Sequence, residues 1–384
     1  MASRERSVPC CRDTIQVERI RRGLVTNSEG GSRMKAVIVH GSNDSYGASR
    51  VLLDEVRILS SMGYRVTVAV PSDGPLAQYC DAIGAETVVD PNLLVLRRAD
   101  LRDAIRVPRI PTYARDADLV VIWTLALSAY APLLQRAKIP LYVAVHELLA
   151  GKVGIAFGRL LAAGRYPVTC CSAAVKSWLQ DCGVAEDRLY VTYPIVDSEP
   201  RQRIFRSGSQ SLKIGVVGRM NGHKGHLEMA EAISHSSLAR RQLELILYGG
   251  PYPGQERFAD EIRNVARKDP RITIIGEVTD VPDHLARLDL VACFPSRPEP
   301  FGLVPIEAWI SGTRTIGYLD GGAAEVIPTV GGIGFPRSPG IEKFLELVLD
   351  NWAGLPPLPT AKDVLPKFSA DERASTLSRV IELT

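Results

Sequence analysis

Two glutamates are the residues of this chain best placed to do chemistry. Glu299 and Glu307 stand eight positions apart, with Pro300, Phe301, Gly302 and Pro305 between them. Upstream, the apolar run from Leu288 to Phe294 reads as a buried strand. The spacing therefore predicts a strand, a tight loop carrying Glu299, and a helix whose first turn carries Glu307. Pro305 suits the first helical position, where its missing N–H is no loss. The N–H groups of Gly302, Leu303 and Val304 are then free at a helix end that attracts anions. A loop carboxylate, an amide cluster and a second carboxylate one turn in suit a sugar-bearing diphosphate. The alternative is that Glu307 only complements the helix dipole.

A second candidate lies earlier in the chain. Residues 213–217 read as a strand, and the loop Gly218–Gly225 that follows places Arg219 and Lys224 among glycines. Charge and backbone N–H groups together grip a diphosphate; the alternative is a pair of solvated basic residues. Near the start, the run 36–39 leads into the turn-rich loop 40–47, which lacks the Gly-x-Gly-x-x-Gly pattern of dinucleotide binding. Gly47 allows close approach of a phosphate because it has no side chain, or it is a plain turn glycine. His146 follows the strand 141–145 directly. It is either a crevice residue at a strand's carboxyl end or a hydrogen-bonded structural histidine.

The elements that must hold these residues alternate as strand and helix in both halves. Apolar, β-branched runs at 36–39, 64–70, 87–90, 119–123, 141–145, 168–172 and 190–193 are of the kind buried in parallel sheets. Helical spacing appears over 48–62 and 173–180. The second half restarts the design with runs at 213–217, 243–248, 272–275, 288–294 and 315–319. Helices are expected near 281–288, 341–352 and 370–383, with a proline-rich link at 356–359. Residues 1–33 are polar and show no apolar period, so a disordered tail is expected. Translation from Met34 is a further expectation. The organisation read from the sequence is thus a tail at 1–33, one Rossmann-like domain at 34–200 and a second at 201–365. The closing helix, 366–384, is expected to return to the first domain. Ligands favour a cleft between two such halves.

Composition narrows the function. The 384 residues are 46% hydrophobic and 23% charged, ordinary for a soluble enzyme of two or three domains. A net charge of +3 gives no argument for nucleic-acid binding. The longest apolar run, 119–134, is interrupted and too short to span a membrane, and no secretory signal pattern is found. Seven cysteines without a Cys-x-x-Cys pair or nearby histidine clusters read as free thiols in a reducing cytoplasm, without a zinc site. Basic residues gather at Arg97, Arg98, Arg102, Arg106, Arg109 and Arg115, and residues 152–165 have the pattern of an amphipathic basic helix. Such faces are usually solvated; the second reading is contact with an anionic membrane or lipid acceptor.

Taken together, Gly218-Arg219 with Lys224-Gly225, then Gly276-Glu277-Val278, then Glu299 to Glu307, then Gly321-Gly322 with Glu325 occur in an order that resembles the retaining GT-B glycosyltransferases of family four. The Glu-x7-Glu stretch with its inner Phe-Gly is the specific part. The resemblance covers most of 34–384, more loosely in the first half. It implies two facing Rossmann-like α/β domains and a nucleotide diphosphate-sugar donor. Arg219 and Lys224 would hold the diphosphate with Gly47 and the amides at 302–304. Glu307 would bind the ribose, and Val278 would line the base. Glu299, Phe301 and Gly302 would contact the donor sugar, and Glu299 and His146 would act at the reacting centre. The resemblance further implies retention of configuration, no metal and no other cofactor. The acceptor would be a glycan, glycolipid or small molecule, and the location cytoplasmic or on the inner face of the membrane. A silent nucleotide-sugar-binding protein and a GT-B epimerase or phosphorylase are the alternatives. Base, sugar, acceptor and oligomeric state stay open at this level.

Overall fold

The computed structural model describes residues 34–44, 46–96, 108–202, 211–235, 238, 241–252 and 254–384. The expected tail, Arg97, Arg98, Arg102 and Arg106 of the basic group, and residues 203–210 at the start of the second half lie outside them. Strand β1 (Lys35–Val39) is almost wholly buried, as its unbroken apolar sequence requires. After it come α1 (Gly47–Ser61), β2 (Arg65–Val70), α2 (Pro75–Ala82), β3 (Glu86–Val89), β4 (Leu119–Ile122) and β5 (Leu141–Val145). The first half closes with α3 (Gly151–Ala162), β6 (Val168–Cys170), α4 (Ala173–Asp181) and β7 (Leu189–Val191).

The second half runs β8 (Leu212–Val217), α5 (His226–Ser234), β9 (Leu243–Tyr248), α6 (Glu256–Ala266), β10 (Ile272–Gly276), α7 (Val281–Leu285) and β11 (Leu290–Cys293). It continues as α8 (Leu303–Ile310), β12 (Arg314–Tyr318), α9 (Ala323–Thr329), β13 (Ile333–Phe335), α10 (Ile341–Asp350) and α11 (Ala370–Glu382). Strand β13 was not legible beforehand, because its core is Ile333-Gly334-Phe335 behind two glycines.

Both sheets are parallel throughout. Their orders are β3-β2-β1-β4-β5-β6-β7 and β10-β9-β8-β11-β12-β13. In each sheet the order reverses beside the first strand: between β1 and β4, and between β8 and β11. Crevices form outside strand carboxyl ends at such reversals. The loop after β1 leads into Gly47, and the loops after β8 and β11 carry Arg219 with Lys224, and Glu299.

The halves share apolar core. Phe301, Ile306 and Trp309 of the second half pack in one cluster with Val120, Val143 and Val168 of the first. Helix α11 returns to the opposite face of the first sheet, where Leu377 and Val380 are fully buried with Ile38 and Val121. Arg373 of α11 is 3% exposed and donates to Glu55 Oε2 at 2.7 and 3.1 Å. Among the described residues, no helix is long and apolar enough to cross a membrane.

Candidate active site

The loop after β8 is shaped by glycine. Gly218 and Gly225 have φ of +143° and +80°, and a Cβ on Gly225 would lie 2.3 Å from the Phe294 carbonyl oxygen. That contact presses the loop onto the end of β11, and Ser296 N–H donates to the His223 carbonyl at 2.9 Å. Lys224 Nζ is thereby brought to Glu299 Oε1 at 2.6 Å. His223, unremarked in the sequence, stands 4.0 Å from the same oxygen, with Nδ1 3.3 Å from Ser296 Oγ. Its pKa is pushed down to about 4, chiefly by burial, against the pull of Glu299. The group beside the Lys224–Glu299 pair is therefore a neutral imidazole at neutral pH.

Helix α8 begins at Leu303, with Gly302 as its cap at φ +95°. This corrects the expected start at Pro305. Proline occupies the third helical position, still within the first turn, where a helix has no internal partner for an N–H and none is lost. Glu307 is the fifth residue, and the first turn holds no acid. Simple dipole complementation therefore loses its force. Burial raises the Glu307 pKa, while Arg50 and Lys224 oppose the shift. The thiol of Cys293 is pushed well up by burial, with Glu299 and Glu307 acting the same way and Lys224 against them. Both carboxylates and the lysine thus surround the end of β11.

The first half supplies the facing wall. Gly47 opens α1, and a Cβ there would lie 3.3 Å from Leu303 Cδ1. Arg50 Nη1 reaches Glu307 Oε1 at 3.3 Å. Arg219 sits between two rings, 3.9 Å from the centroid of Tyr46 and 4.8 Å from that of Tyr252. Three contacts therefore run from residues 46–50 to Arg219, Leu303 and Glu307. Neither Tyr46 nor Arg50 belongs to a sequence pattern; proximity to Gly47 was the only signal.

His146 lies at the end of β5, its ring 4.4 Å from that of Trp123. Burial, then Arg373 and His40, hold its pKa down at about 3, so it is neutral. No hydrogen bond or ring contact among the described residues joins it to the Lys224–Glu299 pair. Next to it, Glu147 accepts the N–H groups of Leu125 and His146 at 3.2 and 3.1 Å, and burial raises its pKa to about 7.

One sequence reading needs adjustment. Phe301, expected to face a sugar, is 5% exposed and has Tyr193 and Phe368 each 6.0 Å from its ring. Its side chain is core, leaving only its backbone toward the loop. Val278 packs partly buried beside Tyr248, Leu288 and Ala308. Glu325 ties the two halves together, accepting from Ala173 N–H at 2.9 Å and from Tyr193 Oη at 2.7 Å. A carboxylate from the second half thus caps the N-terminus of α4 in the first.

Comparison with known proteins bears on this arrangement. Residues 46–200 match the family described as Glycosyltransferase Family 4, and residues 211–350 match Glycosyl transferases group 1. HepE of Anabaena, solved in complex with UDP and glucose, superposes with a TM-score of 0.70 at 19% identity, over 91% of this chain and 99% of that one. The chain is of GT-B glycosyltransferase type. The GT-B fold is also that of a glycosyltransferase from Rickettsia africae ESF-5, with a TM-score of 0.68 at 16% identity over 92% of this chain and 99% of the other. A curated relative is the lipopolysaccharide core biosynthesis mannosyltransferase LpcC of Rhizobium leguminosarum bv. viciae. It is 31% identical over 119 residues, 30% of this chain and 34% of the relative, so the match spans about a third of that protein.

Proposed function

We propose that the chain transfers a glycosyl group from a nucleotide diphosphate-sugar to an acceptor hydroxyl, with retention of configuration and without a metal. The observation that carries this reading is the Lys224–Glu299 pair, 2.6 Å apart beside the first turn of α8, with Glu307 further along the same helix. Glu307 accepts hydrogen bonds from the ribose hydroxyls. Arg219, Lys224 and the backbone at 302–304 take the diphosphate, Gly47 lets the first half close on it, and Val278 lies toward the base. Glu299 orients the donor sugar through its hydroxyls. The C1–O bond to the diphosphate breaks, the acceptor oxygen adds to C1 from the same face, and its proton passes to the leaving phosphate oxygen. Positive charge and aligned amides at that oxygen stabilise the charge as it develops. The neutral ring of His146 faces sugar or acceptor as a hydrogen-bonding group.

HepE, solved with UDP and glucose, and LpcC, named for mannosyl transfer in lipopolysaccharide core synthesis, favour a hexosyl donor and a cell-envelope glycan or glycolipid acceptor. Helix α3 leaves Lys152, Val153, Ile155 and Arg159 exposed, a mixture of cations and apolar groups suited to the anionic inner face of a membrane.

The test is release of nucleoside diphosphate from UDP-, GDP-, ADP- and dTDP-sugars, with and without candidate acceptors, and NMR of the product's anomeric configuration. Glu307→Ala is expected to weaken the productive nucleotide about tenfold or more, as loss of a charged hydrogen-bonding partner implies. Lys224→Ala is expected to lower turnover by about a hundredfold or more. Unchanged nucleotide affinity in the first variant, or near-normal turnover in the second, sinks the assignment.

A further inference from the structure

We propose that Arg50 is a further donor-binding residue, supplied by the first half, which surrenders Glu307 to the ribose and takes the diphosphate. The inference rests on the nucleotide diphosphate-sugar reading of the site. Its first support is charge. Arg219 and Lys224 bring two positive charges to the cradle, and Glu299 and Glu307 bring two negative ones. These four side-chain charges offset one another, leaving the first-turn amides of α8 to favour the anion. Arg50 tips that balance to positive at the place where the anion must sit.

The second support is position. Arg50 Nη1 is 3.3 Å from Glu307 Oε1, on the helix whose first-turn amides form the cradle. Gly47, three residues before it on α1, abuts Leu303. Tyr46 lies on Arg219. Residues 46–50 are therefore laid along two C-terminal elements that meet the donor, the loop after β8 and helix α8. A short swing of one side chain carries the guanidinium from carboxylate to phosphate.

The third support is ease of exchange. The Arg50 side chain is 63% exposed, and that of Glu307 is 26% exposed. The Arg50 end of the pair is open to water, and an ion pair solvated on one side binds weakly. Arg50 also presents five N–H donors in a fork suited to phosphate oxygens, of which the contact with Glu307 engages one. Ribose hydroxyls and Arg50 need the same carboxylate. The two exchanges therefore occur together.

Calorimetry on the full chain tests this with UDP, GDP, ADP and dTDP and with their nucleosides. In Arg50→Met, the diphosphate that binds the unaltered chain is expected to lose about tenfold in affinity, the weight of a charge-assisted bond to phosphate. Its salt dependence should flatten. The matching nucleoside should bind unchanged or more tightly, because Glu307 is released. Arg50→Lys should recover part of the loss. Diphosphate affinity that is unchanged or improved in Arg50→Met overturns the proposal. If no diphosphate binds the unaltered chain, or Glu307→Ala and Lys224→Ala leave its binding intact, the donor reading itself fails first and takes this inference with it.

Discussion

Removing the Arg373 side chain tests how the last helix holds the first half together. The guanidinium donates twice to Glu55 Oε2, at 2.7 and 3.1 Å, and also to the carbonyls of Thr192 and Tyr193 at 3.0 and 2.7 Å. Tyr142 Oη donates to the other oxygen of Glu55. Side-chain exposure is 1% for Arg373 and 0% for Glu55. Water cannot replace the lost partner, so Arg373→Ala leaves a carboxylate stranded in apolar surroundings. Breaking a buried pair in this way costs about 3–5 kcal/mol. For a domain of this size that corresponds to a fall of roughly 6–20 °C in the midpoint of its thermal transition. The double variant Glu55→Gln/Arg373→Met removes both charges while keeping an acceptor for Tyr142. It is expected to recover at least about 2 kcal/mol relative to Arg373→Ala, because an apolar replacement of a whole pair is often near neutral. Urea and thermal unfolding, followed by far-UV circular dichroism and by tryptophan fluorescence, supply the measurements. Arg373→Ala within about 2 °C of the unaltered chain, or a double variant no better than the single one, refutes the reasoning.

Two further outcomes are expected. Gly225→Ala forces a Cβ to 2.3 Å from the Phe294 carbonyl at φ +80°, so it should abolish nucleotide affinity and cost more than about 1 kcal/mol. Gly63→Ala, at φ +93° with nothing within 4 Å, should cost about 1–2 kcal/mol from strain alone and leave affinity intact. Equal affinity in the two variants would remove the case for a close-fitting loop. The pH dependence follows from groups buried in their neutral forms. His40, His223 and His226 are pushed from 6.5 to about 4, and His146 to about 3, in each case mainly by burial. Their contribution is fully present above about pH 6.5 and is lost as pH falls toward 4, because the unfolded chain binds the protons first. Glu147 and Asp54, raised by burial to about 7 and about 6, act oppositely, losing their share as pH rises through those values. Burial also raises Glu307 and Glu228, which act with Glu147 and Asp54 against the four imidazoles. The carboxyls should therefore offset part of the fall in stability between pH 6.5 and 4.5. His40→Asn should shallow that fall in urea titrations; an unchanged slope would contradict burial of a neutral imidazole.

Strands and helices were legible wherever apolar runs or helical spacing were strong, as at 141–145 and 243–248, which are strands with those very bounds. Local sequence carries that information because burial on both faces of a parallel strand demands unbroken apolar residues. Strand β13 escaped, since glycines carry neither burial nor periodicity. The loop glycines, Lys224 and the two glutamates were also legible, because short loops at strand ends must bring them near the crevice.

Other features were set only when distant segments met. Phe301 stands between the two glutamates in sequence, yet its ring fills a core shared with Tyr193 and Phe368. Arg50 meets Glu307 across 257 residues, and Arg373 meets Glu55 across 318. No periodicity or spacing can encode such pairs. Local sequence supplies the groups able to hold a sugar-bearing diphosphate and the strands that end beside them. Which charges offset one another there is settled by packing, because that depends on two sheets, each reversing its order beside its first strand, being brought face to face.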